Sequence, residues 1–255
     1  MDAEGRRDRI SEELRRRGRV SVRRLAAAHD VTPETVRRDL VELEARGELR
    51  RIHGGAVALE HLRVEPAVDE RSERMAAAKA RIAAAAVALF PGDGGTVLLD
   101  AGTTTGALLE VVPTDRRLTV VTNAVAHALA LAPIPTITVI VVGGRLRART
   151  LANVDDLAVE TIGNLRVDVA FVATNGISER GCSTPDPAEA AVKRTMVGAA
   201  DRVVLLADHT KFGEEHFVRF ANLSDLDVAV TDAGVENADL LPLRMAGVDV
   251  VVAHQ

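Results

Sequence analysis

The sequence predicts a small helical domain that ends in a short β-hairpin, followed by a larger, doubly wound α/β domain. Short amphipathic helical segments occupy the first 55 residues, and β-branched apolar runs alternate with helical segments through the rest of the 255-residue chain. Such alternation is typical of a mostly parallel sheet that helices cover on both faces. The charge also changes along the chain: residues 1–55 carry a formal net charge of +3 and the remainder carries −8. A cationic head on an acidic body favours a nucleic-acid contact at one end.

The composition excludes several classes of protein. Hydrophobic residues make up 47% and charged residues 27%, which is ordinary for a folded globular chain. No apolar run approaches the roughly 18 residues that cross a bilayer, and the charged start Met1–Arg7 shows no secretory signal. The single cysteine, Cys182, excludes a disulfide framework and is interpreted as a packed residue. The seven histidines show no metal-ligand spacing, so no metal site is predicted, and we expect a cytoplasmic protein without membrane contact.

The first 55 residues have the start and stop signals of three short helices and a wing. Ser21 and Thr32 precede the second and third helices and are suited to cap them, and Pro33 suits a first helical position. The predicted elements are, in order, a helix over 5–17, a helix over 22–29, a helix over 33–46 and a hairpin over 48–55. This order is typical of a winged helix-turn-helix.

The third helix has the division of faces that a recognition helix needs. Val36, Leu40 and Leu43 share an apolar face, whereas Arg38 projects from nearly the opposite face. A recognition helix uses polar groups near its amino end to reach base edges, and arginine bonds guanine in bidentate fashion. An exposed charged helix in a domain that does not bind DNA is the alternative. The candidate DNA-binding residues are Arg23, Arg24, Pro33, Glu34, Thr35, Arg37, Arg38, Arg50, Arg51 and His53.

Seven apolar runs in the second part of the chain predict buried parallel strands. They lie at 96–100, 118–122, 137–142, 167–174, 203–208, 228–232 and 248–253. Helical segments are predicted at 75–90, 103–112, 123–132, 155–165, 186–199 and 235–246.

Polar residues and glycines follow most of these strands, and in an open α/β sheet the carboxyl ends of the strands form the ligand site. Gly102, Thr103 and Thr104 open a helix directly after the first strand, which suits a phosphate. A Gly-Thr turn that only caps a helix is the alternative. Lys193 and Lys211, two of the three lysines in a chain with 29 arginines, belong to the same set and favour an anion site. Glu189 and Lys193 stand at i,i+4 on one helix, and a surface pair is their alternative interpretation.

These motifs resemble the DeoR family of bacterial transcriptional regulators over nearly the whole chain. The amino-terminal match rests on Thr35–Leu40 and Arg51–Ala56, and the carboxy-terminal match on Asp100–Thr104, Glu189 with Lys193, and Asp208–Gly213. Residues 58–74 carry charges, Pro66 and little apolar periodicity, which predicts a linker. The resemblance implies a winged helix-turn-helix over 1–57 and an effector-binding domain over 75–255 that is similar to sugar-phosphate isomerases. The implied effector-binding residues are Asp100, Gly102, Thr103, Thr104, Thr122, Asn123, Gly143, Gly144, Gly176, Glu189, Lys193, Asp208 and Lys211.

The resemblance further implies that Gly102, Thr103 and Thr104 hold the phosphate with Lys211 as counter-charge. Asp100, Asn123, Glu189 and Lys193 would then meet the sugar. We therefore expect a regulator that binds double-stranded operator DNA as a homodimer or homotetramer and needs no cofactor. We expect it to act as a repressor that leaves the operator when a phosphorylated sugar binds. Activation instead of repression and a sugar-phosphate isomerase with a DNA-binding appendage are the alternatives. One departure is the segment Asn153-Val154-Asp155, where the family often has a glycine.

Overall fold

The computed structural model describes residues 3–17, 19–52, 54–58 and 68–254, and the chain divides into two compact units, residues 1–65 and 66–255. The described elements of the first unit are α1 (Ala3–Arg17), β1 (Arg19–Ser21), α2 (Val22–His29), α3 (Pro33–Ala45), β2 (Leu49–Ile52) and β3 (Gly55–Ala58). Both predicted caps form. The Ser21 side chain accepts from the Arg24 amide at 3.1 Å, and the Thr32 side chain accepts from the Thr35 amide at 3.2 Å.

The wing is a small sheet of described strands in the order β1-β3-β2, and sequence reasoning missed β1. The backbone of Gly55 on β3 lies so close to β1 that a Cβ there would be 2.1 Å from the Val20 carbonyl oxygen. Only glycine fits this approach. The wing is therefore tied to the chain entering α2, since the Val22 amide also donates to the Gly54 carbonyl at 2.7 Å.

The core of the first unit lies between α1 and the apolar face of α3. Ile10, Val36, Leu40 and Leu43 are all buried. A buried ion pair crosses the same interface, where Arg6 Nε lies 2.6 Å from Asp39 Oδ2. Sequence reasoning did not anticipate this pair, which links the first helix to the predicted recognition helix.

The second unit alternates strands and helices as predicted. Its described helices are α4 (Val68–Glu73), α5 (Ala76–Ala86), α6 (Thr103–Gly106), α7 (Val125–Leu131), α8 (Asp156–Gly163), α9 (Pro187–Ala199) and α10 (Asn237–Met245). The parallel strands are β4 (Gly95–Leu99), β5 (Leu118–Thr122), β6 (Ile137–Val141), β9 (Val167–Ala173), β12 (Ala200–Leu206), β14 (Val228–Asp232) and β15 (Asp249–Ala253). Helix α4 lies within the segment 58–74, which the sequence predicts as a linker. The sequence analysis did not predict this helix because its charged residues show little apolar periodicity.

Within the described chain these seven strands form one sheet in the order β15-β14-β12-β9-β4-β5-β6, with every neighbouring pair parallel. The chain starts in the middle at β4, winds outward to β6 and then returns to β9 on the other side of β4. The direction of winding therefore reverses between β4 and β9. A crevice opens at such a reversal, and ligands of doubly wound folds bind there.

In the inner strands of the described sheet, alternate residues pack into two cores, one on each face of the sheet. Val97 and Leu99 pack on the face covered by α5, whereas Leu98 packs on the face covered by α8, α9 and α10. Burial on both faces explains the uninterrupted apolar runs of the inner strands. Phe90 and Phe171 stack in the α5-side core with ring centroids 4.7 Å apart.

The structure adds short strands that the sequence analysis did not predict. β7 (Arg145–Arg147) and β8 (Ala152–Val154) form a hairpin, and β10 (Gly176–Ser178), β11 (Gly181–Thr184) and β13 (Val218–Ala221) form an antiparallel sheet. These strands are only three or four residues long, too short for a period-2 pattern. Among the described residues, no helix is both long and apolar enough to cross a membrane.

Candidate functional site

The predicted DNA-contacting side chains on α2 and α3 are exposed, except that Thr35 is half-buried. Arg23 and Arg24 lie on the first turn of α2, and Arg37 and Arg38 lie on α3, opposite its buried face. Arg37 forms an exposed ion pair with Glu34 at 3.0 Å. Pro33 occupies the first turn of α3, and the Thr35 hydroxyl lies 2.9 Å from that of Thr32.

The wing contributes one described arginine side chain. Arg51 Nε lies 2.5 Å from Glu44 Oε2, so this pair connects the wing to the end of α3. The backbone of Arg50 belongs to β2. His53 and the side chain of Arg50 lie outside the described residues.

The carboxyl edge of the large sheet brings the second set of predicted residues together at the reversal between β4 and β9. Asp100 follows β4, and its Oδ2 accepts from the Ala173 amide of β9 at 3.0 Å. Lys193 of α9 donates to the same oxygen and also to the Ala173 carbonyl at 2.9 Å. Asp100 and Lys193 are both at least 95% buried. The pair therefore pins α9 to the crevice.

Glu189 does not pair with Lys193, although the two residues are four apart on α9. Instead, Glu189 Oε1 accepts from Arg147 at 3.1 Å and from the Thr150 hydroxyl. Arg147 also contacts Asp186, the N-cap residue of α9, at 3.1 Å. Lys193 and Glu189 are both buried, so the surface-pair interpretation is wrong. Each finds a partner on another element because burial makes an unpaired charge costly.

Thr122 and Asn123 hold the backbone at the ends of β4 and β5. Thr122 Oγ1 donates to the Leu99 carbonyl at 2.7 Å, and Asn123 Oδ1 accepts from the Ala101 amide at 3.0 Å. Asn123 Nδ2 donates to the Asn153 carbonyl at 3.1 Å. Their hydrogen bonds fix the loop that leads from β4 into the Gly-Thr segment.

Gly102 sits in a narrow space in front of α6. A Cβ at Gly102 would lie 2.9 Å from the Ala173 Cβ and 3.0 Å from the Thr105 Oγ1. Thr105 Oγ1 donates to the carbonyls of Asp100 at 2.7 Å and Gly102 at 2.9 Å. Thr103 and Thr104 follow as the first residues of α6, where backbone amides have no acceptor within the helix.

Four cations meet beside this segment. Lys79 of α5 lies within electrostatic reach of Lys211, Arg71 and Arg74, and α4, which carries Arg71, packs against α6. Asp208 and Glu214 are the carboxylates that act on this group. The cation cluster, defined as Arg71, Arg74, Lys79 and Lys211, therefore has more positive than negative charge.

Burial perturbs both lysines of the cation cluster. Burial, together with the charges of Lys211, Arg71 and Arg74, lowers the pKa of Lys79 to about 8, against an opposing effect of Asp208. Burial likewise lowers the pKa of Lys211. Lys79 donates to the carbonyls of Arg71 and Arg74 and so fixes the end of α4. Like charges held this close favour a bound anion, which would relieve their repulsion.

Asp208 orients the turn that carries Lys211. Its side chain accepts from the Thr210 amide at 3.0 Å and from the Thr210 hydroxyl, and it caps the 3₁₀ turn His209–Lys211. Asp208 and Lys211 thus reach the cation cluster from the carboxyl end of β12.

Two of the predicted glycines beyond the Gly-Thr segment, Gly144 and Gly176, allow close backbone approach. A Cβ at Gly144 would lie 2.5 Å from the Val154 carbonyl oxygen, and one at Gly176 would lie 2.5 Å from the Glu214 carbonyl oxygen. Gly143 lies between β6 and Gly144, at the same edge of the sheet. Gly176 thereby lets the loop after β12 approach β10.

The departure from the family pattern has a local explanation. Asp155 adopts φ +74°, a backbone conformation that favours glycine, and its carboxylate pairs with Arg145 Nε at 2.6 Å. Asn153 bonds the Val142 carbonyl at 2.8 Å. The chain thus keeps a glycine-like turn at Asp155 and holds it with side-chain bonds.

Sequence reasoning missed Arg74 and Arg147 as members of these constellations. Arg147 lies on a three-residue strand, and Arg74 lies in the segment that the sequence predicts as a linker. Neither segment shows a sequence pattern that identifies its arginine as a site residue. Cys182 is fully buried, and burial raises the pKa of its thiol to about 12. It is packed within the core, as predicted.

Two family models match the chain. The DeoR-like helix-turn-helix domain matches residues 6–61, and the DeoR C-terminal sensor domain matches residues 74–233. Among solved structures the chain resembles ribose 5-phosphate isomerase A from Methanocaldococcus jannaschii at 14% identity, with a TM-score of 0.40 and 54% of each chain covered.

Curated relatives are similar over most of their own length. The HTH-type transcriptional regulator GlpR of Haloferax volcanii is 38% identical, with 85% of each chain covered. A putative aga operon transcriptional repressor of Escherichia coli O157:H7 is 32% identical, covering 98% of this chain and 94% of that protein. The glycerol-3-phosphate regulon repressor of Escherichia coli strain K12 is 32% identical, with 88% of each covered. With both its helix-turn-helix and its sensor domain matched, this chain belongs to the DeoR family of DNA-binding transcriptional regulators and is not an enzyme.

Proposed function

We propose that the protein represses carbohydrate-utilisation genes and releases its operator when a phosphorylated sugar binds the second unit. The cation cluster beside the Gly-Thr segment carries the proposal. It offers excess positive charge and the free amides of Thr103 and Thr104 at one edge, and the crevice between β4 and β9 lies next to them. The names of relatives, among them a glycerol-3-phosphate regulon repressor, support the same class of effector.

We propose that the phosphate binds at the cation cluster beside the Gly-Thr segment, with Lys211 as its principal counter-charge. Charge-assisted hydrogen bonds to a phosphate are about twice as strong as neutral ones. The sugar then extends toward the crevice, where the buried Asp100–Lys193 pair and the Glu189–Arg147 pair shape the walls. Asn123 contributes indirectly, because its hydrogen bonds position the loop that leads from β4 into the Gly-Thr segment.

The operator is read by α3 in the major groove. Arg38 and Glu34 face outward near its amino end and would contact base edges, with Arg37 and Thr35 beside them. Arg23, Arg24 and the wing arginines would contact phosphates, which set the register on the duplex. Because half-sites are read in pairs, we propose a homodimer or homotetramer in solution.

The mechanism is coupling between two sites. The effector binds one arrangement of the oligomer more tightly, and that arrangement holds the recognition helices at a spacing that fits the operator poorly. A coupling free energy of about 1–3 kcal/mol changes operator affinity about 5–150-fold.

The effector site is tested with the full chain and the variant Lys211→Met. We expect a phosphate ester to raise the melting temperature of the wild type by several degrees, while its unphosphorylated parent sugar does not. Lys211→Met should remove that shift and the effector response, yet keep operator binding in fluorescence anisotropy. A variant that still responds at the same effector concentration would contradict the placement.

The DNA interface is tested with Arg38→Ala, and Arg180→Ala serves as the control because Arg180 is an exposed, ion-paired arginine of the second unit. Arg38→Ala should weaken specific operator binding by about 1–3 kcal/mol and leave effector binding intact. Equal loss of both activities would refute the assignment. A reporter assay in which deletion of the gene lowers transcription would identify an activator.

A further inference from the structure

An aspartate–histidine pair lies beside the proposed anion site, and the proposed function leaves it unused. Asp232 ends β14, and its Oδ2 is 2.8 Å from the Nδ1 of His209. Asp232 Oδ1 accepts from the His209 amide at 2.8 Å, and Oδ2 also accepts from the Gly234 amide at 3.1 Å. The carboxylate is thus surrounded by three donors and is only 2% exposed.

These contacts fix the orientation of the imidazole and favour a proton on Nδ1. Burial raises the pKa of Asp232, but the hydrogen bonds from His209 and Gly234 outweigh it and leave the pKa below its ordinary value. An ionised Asp232 accepts a hydrogen bond, so Nδ1 carries the proton, and in the neutral ring Nε2 is left as an acceptor.

The loop after β14 prevents the ring from turning away. A Cβ at Gly234 would lie 2.5 Å from His209 Nδ1 and 2.7 Å from Cγ, so the glycine backbone lies flat against the imidazole. The outer edge of the ring stays accessible, since the His209 side chain is 32% exposed. No partner for Nε2 exists within the part of the chain that the structure describes.

The position of His209 connects it to the cation cluster. His209, Thr210 and Lys211 form a single 3₁₀ turn after β12, which rises only about 2 Å per residue. Lys211 reaches the cluster from this turn, and Asp208 caps it. An oriented acceptor and a phosphate counter-charge thus come from the same turn.

We propose that His209 Nε2 accepts a hydrogen bond from a hydroxyl of the sugar whose phosphate occupies the cation cluster, and that Asp232 and Gly234 hold it for this purpose. The inference rests on the proposed function, because it needs the phosphate to lie at Lys211. His209 would be a specificity-determining residue, since it distinguishes a sugar phosphate from a bare phosphate. A ligand without that hydroxyl would leave the acceptor to water and lose this hydrogen bond.

Two matched variants separate this role from a purely structural one. An asparagine amide reaches about as far as Nδ1, so His209→Asn keeps the bond to Asp232 and removes Nε2. A glutamine amide reaches about as far as Nε2, so His209→Gln keeps a polar group at the outer edge and loses the bond to Asp232. The structural role is measured as the melting temperature without ligand, and the binding role is measured by calorimetry.

The probes are inorganic phosphate and four esters: glycerol 3-phosphate, fructose 1-phosphate, fructose 6-phosphate and glucose 6-phosphate. We expect the wild type to bind at least one ester more tightly than inorganic phosphate. His209→Asn should lose about tenfold in affinity for that ester, the size of one hydrogen bond, with unchanged affinity for inorganic phosphate and an unchanged melting temperature. His209→Gln should lower the melting temperature and keep the preference for the ester.

Three results would overturn the inference: ester binding unchanged in His209→Asn, equal loss of ester and inorganic phosphate, or no ester bound better than inorganic phosphate by the wild type. Lys211→Met identifies a different failure. If Lys211→Met leaves the binding of inorganic phosphate and esters unaltered, the anion site itself is misplaced and the proposed function fails with it.

Discussion

At the scale of single residues, the chain uses its three lysines where a buried ammonium is needed. Lys193 lies against the Asp100 carboxylate and 5.6 Å from the centre of the Phe220 ring. Lys79 and Lys211 both belong to the cation cluster, and burial lowers the pKa of each. A lysine pKa moves readily on burial, whereas arginine stays charged. The proposed anion site therefore contains lysine groups whose charge can change with pH.

Lys79 makes anion binding depend on pH. Its pKa is about 8 in the folded protein, whereas the ordinary value for a lysine side chain is 10.5. Above pH 8 the ammonium loses its proton unless an anion stabilises it, so the affinity for inorganic phosphate should fall as the pH rises from 8 to 9.5. Calorimetry of Lys79→Met should show weaker binding at pH 7.5 and a flatter profile. A profile as steep as that of the wild type would exclude Lys79 as the titrating group.

At the scale of elements, two buried ion pairs hold helices at fixed positions. Asp100 and Lys193 join β4 to α9, and Arg6 and Asp39 join α1 to α3. Such pairs add little net stability when both partners are present, but removal of one partner is costly because the other charge stays buried. In the first unit this means that the recognition helix depends on α1.

Asp39→Ala should lower the free energy of unfolding of the first unit by about 3 kcal/mol, because Arg6 stays buried without this carboxylate. Operator binding should fall with it, while inorganic phosphate still binds the second unit. For the stability measurement alone, Glu34→Ala is the matched control, since Glu34 makes an exposed pair on the same helix and its loss costs about 0.5 kcal/mol. Urea denaturation followed by circular dichroism would measure both. Equal costs for the two substitutions would contradict the role of the buried pair.

At the scale of the whole molecule, the doubly wound sheet decides which residues meet. Its winding reverses between β4 and β9, and the segments after these strands supply Asp100 and the Gly-Thr segment on one side and Asn175 and Gly176 on the other. Helix α7 packs beside this edge and carries the buried His127. Within the described chain His127 Nδ1 has no hydrogen-bond partner.

His127 makes the stability of the fold depend on pH. Burial lowers its pKa to about 4, against an opposing effect of Asp100, from an ordinary 6.5. Between pH 6.5 and 4 the unfolded chain binds a proton that the folded chain does not, so the free energy of unfolding should fall as the pH falls through this range. The loss from this residue reaches about 3 kcal/mol.

The comparison of urea denaturation at pH 7 and pH 5 tests this expectation. His127→Leu should reduce the difference between the two pH values, because leucine takes up no proton. His254→Gln changes an exposed histidine near the end of the chain and should leave the difference as in the wild type. If both variants behave like the wild type, other groups dominate the acid response.

The sequence predicted the fold well where a pattern extended over many residues. All seven parallel strands lie at the predicted apolar runs. In the inner strands the run reflects burial on both faces, whereas the edge strand β6 has an apolar run although Ile140 and Val141 are exposed. Strand β12 begins at Ala200, three residues before its predicted start, since Ala200, Asp201 and Arg202 are not part of the apolar run. Helix α4 and the strands β7, β8, β10, β11 and β13 were missed because they are too short to show a period.

The candidate site was predicted less completely. The residues after the strand ends were found because parallel strands end at a common edge, and their roles as ligands stay predictions. Their partners were not found: Glu189 contacts Arg147 and Lys193 contacts Asp100, across 42 and 93 residues of sequence. Their i,i+4 spacing had only one pairing to offer, a surface pair of Glu189 with Lys193, and this alternative interpretation is wrong.

By itself, the sequence determined the class of each domain, the caps of α2 and α3, and the strand ends that face the crevice. These follow from local preferences and from the periodicity of burial, which neighbouring residues express together. Only the tertiary structure decided which charges share a site: that Arg71, Arg74, Lys79 and Lys211 converge, and that Asp232 holds His209. The physical reason is that electrostatic partners are set by distance in space, and a chain wound twice across a sheet brings together residues that no local pattern relates.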